Sequence, residues 1–192
     1  ATQRGAPAGC GAGGAVPRCR AMTASSPPAS PATGRALPPD AAAIQAAAAR
    51  IAPHVRRTPL LRLAAADLGT ACDVTLKLEL LQAAGSFKPR GAFNRMLSNP
   101  LPAAGVIAAS GGNHGAAVAY AARALGVRAE IFVPDITGPA KLARIRAYGA
   151  TLVQGGATYN EARDASEARA AETGALIVHA YDQAEVLAGQ RT

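Results

Sequence analysis

Two short segments of this chain carry residue types that could do chemistry. The first is Gly85-Ser86-Phe87-Lys88-Pro89-Arg90-Gly91-Ala92. Ser86 can cap a helix, and Pro89 fits only in a first helical turn, where a missing N–H costs nothing. Lys88 is thereby predicted in that turn, at the positive end of the helix dipole, an unfavourable place for a cation. A lysine so placed can be neutral or engaged as an imine, which is how a lysine becomes a nucleophile or holds a carbonyl compound. A solvated lysine at a helix start fits the same placement. The second segment is Ser110-Gly111-Gly112-Asn113-His114-Gly115. Its glycines let backbone N–H groups approach a ligand closely, and a helix beginning there favours an anion. It is not GxGxxG and has no P-loop lysine, so it suits a carboxylate better than a nucleotide. A plain strand-to-helix turn capped by Asn113 is the alternative that the residues leave open.

Both segments need elements to position them. Residues 1–36 are mostly Ala, Gly, Pro and Ser with a few Arg, and they bury too little surface to offset their ordering entropy. They are expected to be a disordered tail. Met22 is the first methionine, so the residues before it read as translated upstream sequence or as an Arg-bearing leader. From Pro39 the pattern becomes regular. Asp40 caps a predicted helix over 41–52, with Ile44, Ala48 and Ile51 on one side. Residues 73–79 alternate as a strand does, with Val74, Leu76 and Leu78 on one face. Strands are predicted over 105–109, 129–133, 151–153 and 176–179, and helices over 113–125, 139–148 and 158–172. Gly126, Gly149 and Gly174 stand where left-handed helix caps would sit. Strand and helix in alternation predict βαβ units: an α/β fold with a parallel sheet between helical layers. Ligands in such folds bind beyond the carboxyl ends of the strands, where both segments are expected.

Composition narrows the function classes. The formal net charge is +8, but Arg4, Arg18, Arg20 and Arg35 of the first 36 residues supply about half of the excess. The remaining cations are scattered, with no interleaved aromatic residues, so nucleic acid is not expected as a partner. Cys10, Cys19 and Cys72 are odd in number and far apart, which suggests neither a zinc site nor a disulfide framework and favours a reducing, cytoplasmic setting. No apolar run approaches the roughly 18 residues of a membrane helix, so no membrane partner is expected.

GSFKPRGA followed about 20 residues later by SGGNHG resembles the fold-type II pyridoxal-phosphate-dependent enzymes, in particular threonine and serine dehydratases. Arg57-Thr58-Pro59-Leu60, Lys77-Leu78-Glu79, Ile131-Phe132-Val133-Pro134, Lys141, Tyr148-Gly149-Ala150 and Ala188-Gly189-Gln190 agree with the same pattern. The resemblance covers residues 40–192. It implies that Lys88 forms the imine to pyridoxal 5'-phosphate and shuttles the substrate α-proton, that Phe87 flanks the pyridine ring, and that Asn113 hydrogen-bonds the cofactor's phenolic oxygen. It further implies that Ser110, Gly111, Gly112, Asn113 and His114 receive the substrate carboxylate, with His114 orienting the loop rather than titrating. The implied reaction is β-elimination from L-threonine or L-serine to a 2-oxo acid and ammonia, in a homodimer, with no metal among these residues.

The resemblance also implies a division of the chain. Residues 37–92 would begin a large cofactor-binding domain, 93–180 would form a small α/β domain, and 181–192 would start the return to the large one. Where the family usually continues Gly-Gln-Gly-Thr, this chain reads Gly189-Gln190-Arg191-Thr192 and stops. It is therefore expected to be a fragment, inactive by itself. Racemases of the family carry a serine at the position of Gly111, as a proton carrier for the second face, so elimination is expected rather than racemisation. The alternatives are a β-replacement synthase of the same fold, whose members typically have a threonine where His114 stands and an aspartate where Pro89 stands, and a non-catalytic remnant.

Overall fold

The computed structural model describes residues 37–192; the disordered tail expected over 1–36 lies outside the described residues. Its centre is a parallel sheet of β3 (Val106–Ala109), β4 (Ala129–Val133), β5 (Thr151–Gln154) and β6 (Leu176–Ile177), in the order β5-β4-β3-β6. Val106 pairs with Ala129 and with Leu176, and Glu130 pairs with Thr151. Central parallel strands are covered on both faces, which is why VIAA and AEIFV read as nearly continuous apolar runs.

The alternation of side chains builds three layers. Val106, Ala108, Ile131 and Val133 point into one core with α4 (Asn113–Ala124) and α5 (Pro139–Ala147). Ile107, Ala109 and Phe132 point the other way, onto Ala170 of α6 (Tyr159–Thr173). The buried face of α4 is mostly alanine, so its axis can lie close to the sheet. Gly126, Gly149 and Gly174 have φ of 70°, 81° and 73°, as the predicted left-handed caps require.

Against the α4 side lie α1 (Ala41–Ile51), α3 (Lys88–Leu97) and α7 (Ala184–Gln190). Asp40 caps α1 as predicted, accepting from Ala43 N at 2.7 Å. The buried side of α1 is Ala47 and Ile51, however; Ile44 is half-buried and Ala48 exposed, because α3 and α7 contact the helix from the Ala47 side. α3 and α7 meet through glycine. A Cβ on Gly91 would come 2.9 Å from the Val186 carbonyl oxygen, and one on Gly189 would come 2.7 Å from Asn94 Cβ.

The strand predicted over 73–79 does not join the parallel sheet. It is β2 (Val74–Lys77), antiparallel to β1 (Leu60–Leu63) in a separate hairpin, with Leu61 opposite Leu76. An alternating segment with one apolar face suits a half-exposed antiparallel pair, whereas the central strands are apolar on both faces. A four-residue helix, α2 (Ala65–Leu68), links the two strands. Cys72 is disulfide-bonded, where the spacing of the cysteines suggested no disulfide framework. Among the described residues no helix is long and apolar enough to cross a membrane, and no group of three or more His, Cys, Asp or Glu side chains could hold a metal ion.

Candidate active site

Lys88 opens α3, with Pro89 in the first turn and Ser86 just ahead. Ser86 Oγ accepts from Lys88 N at 3.4 Å, and Phe87 takes the cap position without a capping side chain. The approach to this helix start is a tight turn: Ala84, a non-glycine residue, has φ 54°, and Gly85 has φ 65°. A left-handed alanine costs roughly 1 kcal/mol or more and persists only where its surroundings hold it. Behind the turn, Arg90 is buried and grips Glu79 with two hydrogen bonds, Nε to Oε2 at 2.7 Å and Nη2 to Oε1 at 2.8 Å. Thr58 Oγ1 donates to the same carboxylate at 2.6 Å. Burial alone would raise the Glu79 pKa, but Arg90, Thr58 and Lys77 together hold it below its ordinary value.

The Lys88 amine reaches inward. Nζ donates to the Ala180 carbonyl oxygen at 2.8 Å and lies 5.0 Å from the centre of the Phe87 ring. Among the described residues no acid pairs with it, and burial lowers its pKa. An amine in that condition is closer to the neutral nucleophile than a solvated lysine is. Gln190 Nε2 donates to the same Ala180 oxygen at 3.2 Å, so the end of α7 and the segment after β6 jointly define where Nζ rests.

The second segment lies at the carboxyl end of β3. Ser110 N donates to Phe132 O at 2.9 Å, and Ser110 Oγ accepts from Gly112 N at 3.1 Å. Gly112, not Asn113, is the cap of α4, and no side chain caps this helix. The first backbone bond of α4 runs from Ala116 N to Gly112 O, which leaves the N–H groups of Asn113, His114 and Gly115 without intrahelical partners. Gly115 packs so close to the Ser110 carbonyl that a side chain there would collide with it. Gly111 is equally confined, because a Cβ there would meet Thr137 Oγ1 at 2.5 Å and Cγ2 at 2.7 Å.

His114 is buried, and its Nε2 lies 2.7 Å from the Val178 carbonyl oxygen. A carbonyl only accepts, so Nε2 carries the proton. Its Nδ1 is buried and has no partner among the described residues. Burial, opposed by the Val178 bond and assisted by the charge of Lys88, lowers the His114 pKa to about 4. The ring is neutral at ordinary pH and acts as a strut between α4 and the segment after β6.

The fold therefore brings the two segments to one place. Residues 178–180 touch both, with Val178 on His114 and Ala180 on Lys88. Asn113 Oδ1 accepts from Arg144 Nη1 at 3.2 Å, and Arg144 Nη2 donates to the Ala84 carbonyl ahead of Lys88. Arg144, Thr137 and Ala180 were not singled out from the sequence, whereas Gln190 belongs to the Ala188-Gly189-Gln190 match. Arg144 lies on a helix face and Thr137 on a loop, neither in a motif, and Ala180 contributes only its backbone. The ensemble can offer a desolvated amine to a carbonyl group and a row of N–H donors to an anion.

Comparison with known proteins agrees with this chemistry. Residues 51–192 match the protein family described as pyridoxal-phosphate dependent enzyme. The chain is 43% identical over 152 residues to the catabolic L-threonine dehydratase of Staphylococcus aureus, covering 78% of this chain and 44% of that one. Among solved structures, a T.th. threonine deaminase superposes with TM-score 0.71 at 42% identity, over 79% of this chain and 48% of that one. Maize serine racemase superposes with TM-score 0.74 at 33% identity, over 80% and 47%. The chain thus spans about half the length of the relatives it matches. It belongs to the family of pyridoxal-phosphate-dependent enzymes, with the family's three-layer α/β fold.

Proposed function

We propose that this chain supplies the lysine and the carboxylate loop of an ammonia-lyase that eliminates water from L-threonine or L-serine, giving a 2-oxo acid and ammonia. The observation that carries this reading is the Lys88 amine, desolvated and without an acidic partner among the described residues, in the same site as the uncapped start of α4. These residues fit pyridoxal 5'-phosphate by their donor set. Lys88 would hold its aldehyde carbon, Phe87 would flank its ring, and Asn113 would hydrogen-bond its phenolic oxygen. When bound, the cofactor supplies an electron-withdrawing ring that stabilises the carbanion left by loss of the α-proton.

The chain's own residues do the rest. Lys88 Nζ, as a free amine beside the substrate, would take up the α-proton. The N–H groups of Asn113, His114 and Gly115, with Ser110, Gly111 and Gly112 shaping the loop, hold the substrate carboxylate at the positive end of the α4 dipole. His114 keeps the loop in place without a change of charge.

A division into a unit of 37–92 with 181–192 and a unit of 93–180 finds support in the packing of α1 and α3 on α7, although α3 itself runs across the boundary. A homodimer is supported by the exposed leucines Leu60, Leu61 and Leu80 around the hairpin, and light scattering of the full-length protein tests it. Metabolism of free amino acids is in keeping with a cytoplasmic location.

The test of the activity is reductive trapping with borohydride in the full-length protein, followed by peptide mapping and ammonia assay. Cofactor mass on the Lys88 peptide, with ammonia released from threonine or serine, is the expected result. Attachment at Lys77 or Lys141, or attachment without ammonia release, would overturn the reading.

A further inference from the structure

We propose that Arg144 is a positioning residue: it selects which end of the Asn113 amide faces the cofactor and holds the turn that carries Lys88. The inference rests on the reading of Asn113 given above and adds a residue to it. Arg144 belongs to α5, remote in sequence from both segments, yet its guanidinium bridges them. Nη1 donates to Asn113 Oδ1 at 3.2 Å, and Nη2 donates to Ala84 O. The guanidinium also packs against Gly85, where a Cβ would stand 3.3 Å from Nη2.

Two consequences follow from donor chemistry. A guanidinium has only donors, so it accepts one orientation of the Asn113 amide, the one with Oδ1 toward Arg144. Nδ2 is then turned away with both of its protons, and among the described residues it has no partner. That group is the one a phenolic oxygen requires. With the amide reversed, two donors would face each other. The second consequence concerns Ala84. Its left-handed conformation needs an external hold, and Arg144 binds its carbonyl two residues ahead of Ser86. A single side chain thus ties the amide donor to the turn that sets the position of Lys88.

A donor on the phenolic oxygen withdraws charge from it, so the adjoining nitrogen of Lys88 holds its proton less tightly. The pH at which the absorbance of the lysine-bound cofactor changes therefore reports the Asn113 contact. In the full-length protein loaded with pyridoxal phosphate, Asn113→Ala should raise that midpoint by about half a pH unit to one unit, the worth of one net hydrogen bond. Arg144→Ala should raise it nearly as far, and Arg144→Lys, which keeps one donor, less far. Arg144→Ala added to Asn113→Ala should add nothing, because the two act through one contact. In the ligand-free protein, Arg144→Ala should also speed hydrogen exchange at the Gly85 amide, which otherwise donates to Gln82 O at 2.8 Å.

Circular dichroism and melting of Arg144→Lys guard against a folding defect. An unchanged midpoint in Arg144→Ala, with Asn113→Ala shifted, would overturn the role of Arg144 while leaving the cofactor reading intact. An unchanged midpoint in Asn113→Ala would overturn both. Additive shifts in the double variant would show that Arg144 acts elsewhere.

Discussion

Two helix starts face the candidate site, and they are finished in opposite ways. At α3 the chain satisfies its own donors: Ser86 Oγ takes the N–H of Lys88, Pro89 has none, and Arg90 N donates to Phe87 O at 3.1 Å. At α4 there is no capping side chain, and the N–H groups of Asn113, His114 and Gly115 are left over. Both starts present the positive end of a dipole. One uses it, with burial, against the charge of its own lysine; the other leaves it open to an anion from outside. The proposed pairing of an uncharged amine with a negatively charged substrate group would be well served by that asymmetry.

Removing the amine should have the largest effect. In the full-length protein, Lys88→Ala should abolish covalent attachment of the cofactor and lower turnover by at least about 10² to 10⁴. Lys88→Arg should not rescue it, because a guanidinium stays charged and does not form the imine under ordinary conditions. Borohydride trapping and ammonia release read both effects. Cofactor still trapped in the alanine variant would move the amine to another residue and remove the contrast between the two helix starts.

Next in size is the choice between elimination and racemisation. Gly111 offers no acid or base, so D-serine should form from L-serine more slowly than ammonia by roughly 10² to 10⁴. Gly111→Ser alone should not reverse this, because the new Cβ would meet Thr137 at 2.5 Å. Pairing it with Thr137→Gly should allow more racemisation than either change alone. Chiral chromatography decides the matter, and D-serine appearing faster than ammonia in the unmodified protein would contradict the assignment of this loop.

The neutral strut at α4 gives a pH dependence of its own. His114 has a pKa of about 4 in the folded chain against 6.5 ordinarily, so below 6.5 the unfolded chain binds a proton that the folded one refuses. Its contribution to stability is therefore intact above that pH and falls by up to about 3 kcal/mol as pH drops toward 4. His114→Gln can still donate to the Val178 carbonyl but does not titrate, so denaturant unfolding measured across this range should be flatter for the variant. Identical slopes for the two proteins would mean that burial does not depress the His114 pKa.

Much of this arrangement was legible in the residues, and the illegible parts share a cause. β3 and β4 were readable because both their faces are buried between helices, which forces apolar runs bounded by glycine. The two candidate segments stood out because Pro89 fixes a helix start wherever it occurs, and because glycines at 111, 112 and 115 let the backbone approach its neighbours or a ligand closely. β1 was missed because Leu60–Leu63 is short and largely exposed, and because it is a strand only by virtue of pairing with β2. α7 was missed for a related reason: it has seven residues and no capping side chain, and its order comes from packing on α3 through Gly91 and Gly189. Arg144 looks like any arginine on a helix until the fold carries it to Asn113.

The smallest effect expected here is also the most direct test of the contrast between the two helix starts. Gly112 is the cap of α4, with φ −122° and ψ −147°, a backbone that other residues can adopt. A Cβ there has room, since the nearest atom, Ser110 Oγ, would be 3.9 Å away. Gly112→Asp would therefore place at α4 the kind of cap that Asp40 gives α1. Aspartate exceeds glycine as a cap by only a few tenths of a kcal/mol, and its charge near the dipole adds a similar amount. The ligand-free protein should thus become slightly more stable in denaturant unfolding. The same carboxylate would occupy the N–H groups proposed to receive the substrate, so the KM for threonine or serine should rise while covalent attachment at Lys88 is retained. If stability rose and KM did not, the open start of α4 would not be the carboxylate site, and the N–H groups left free there would need another purpose.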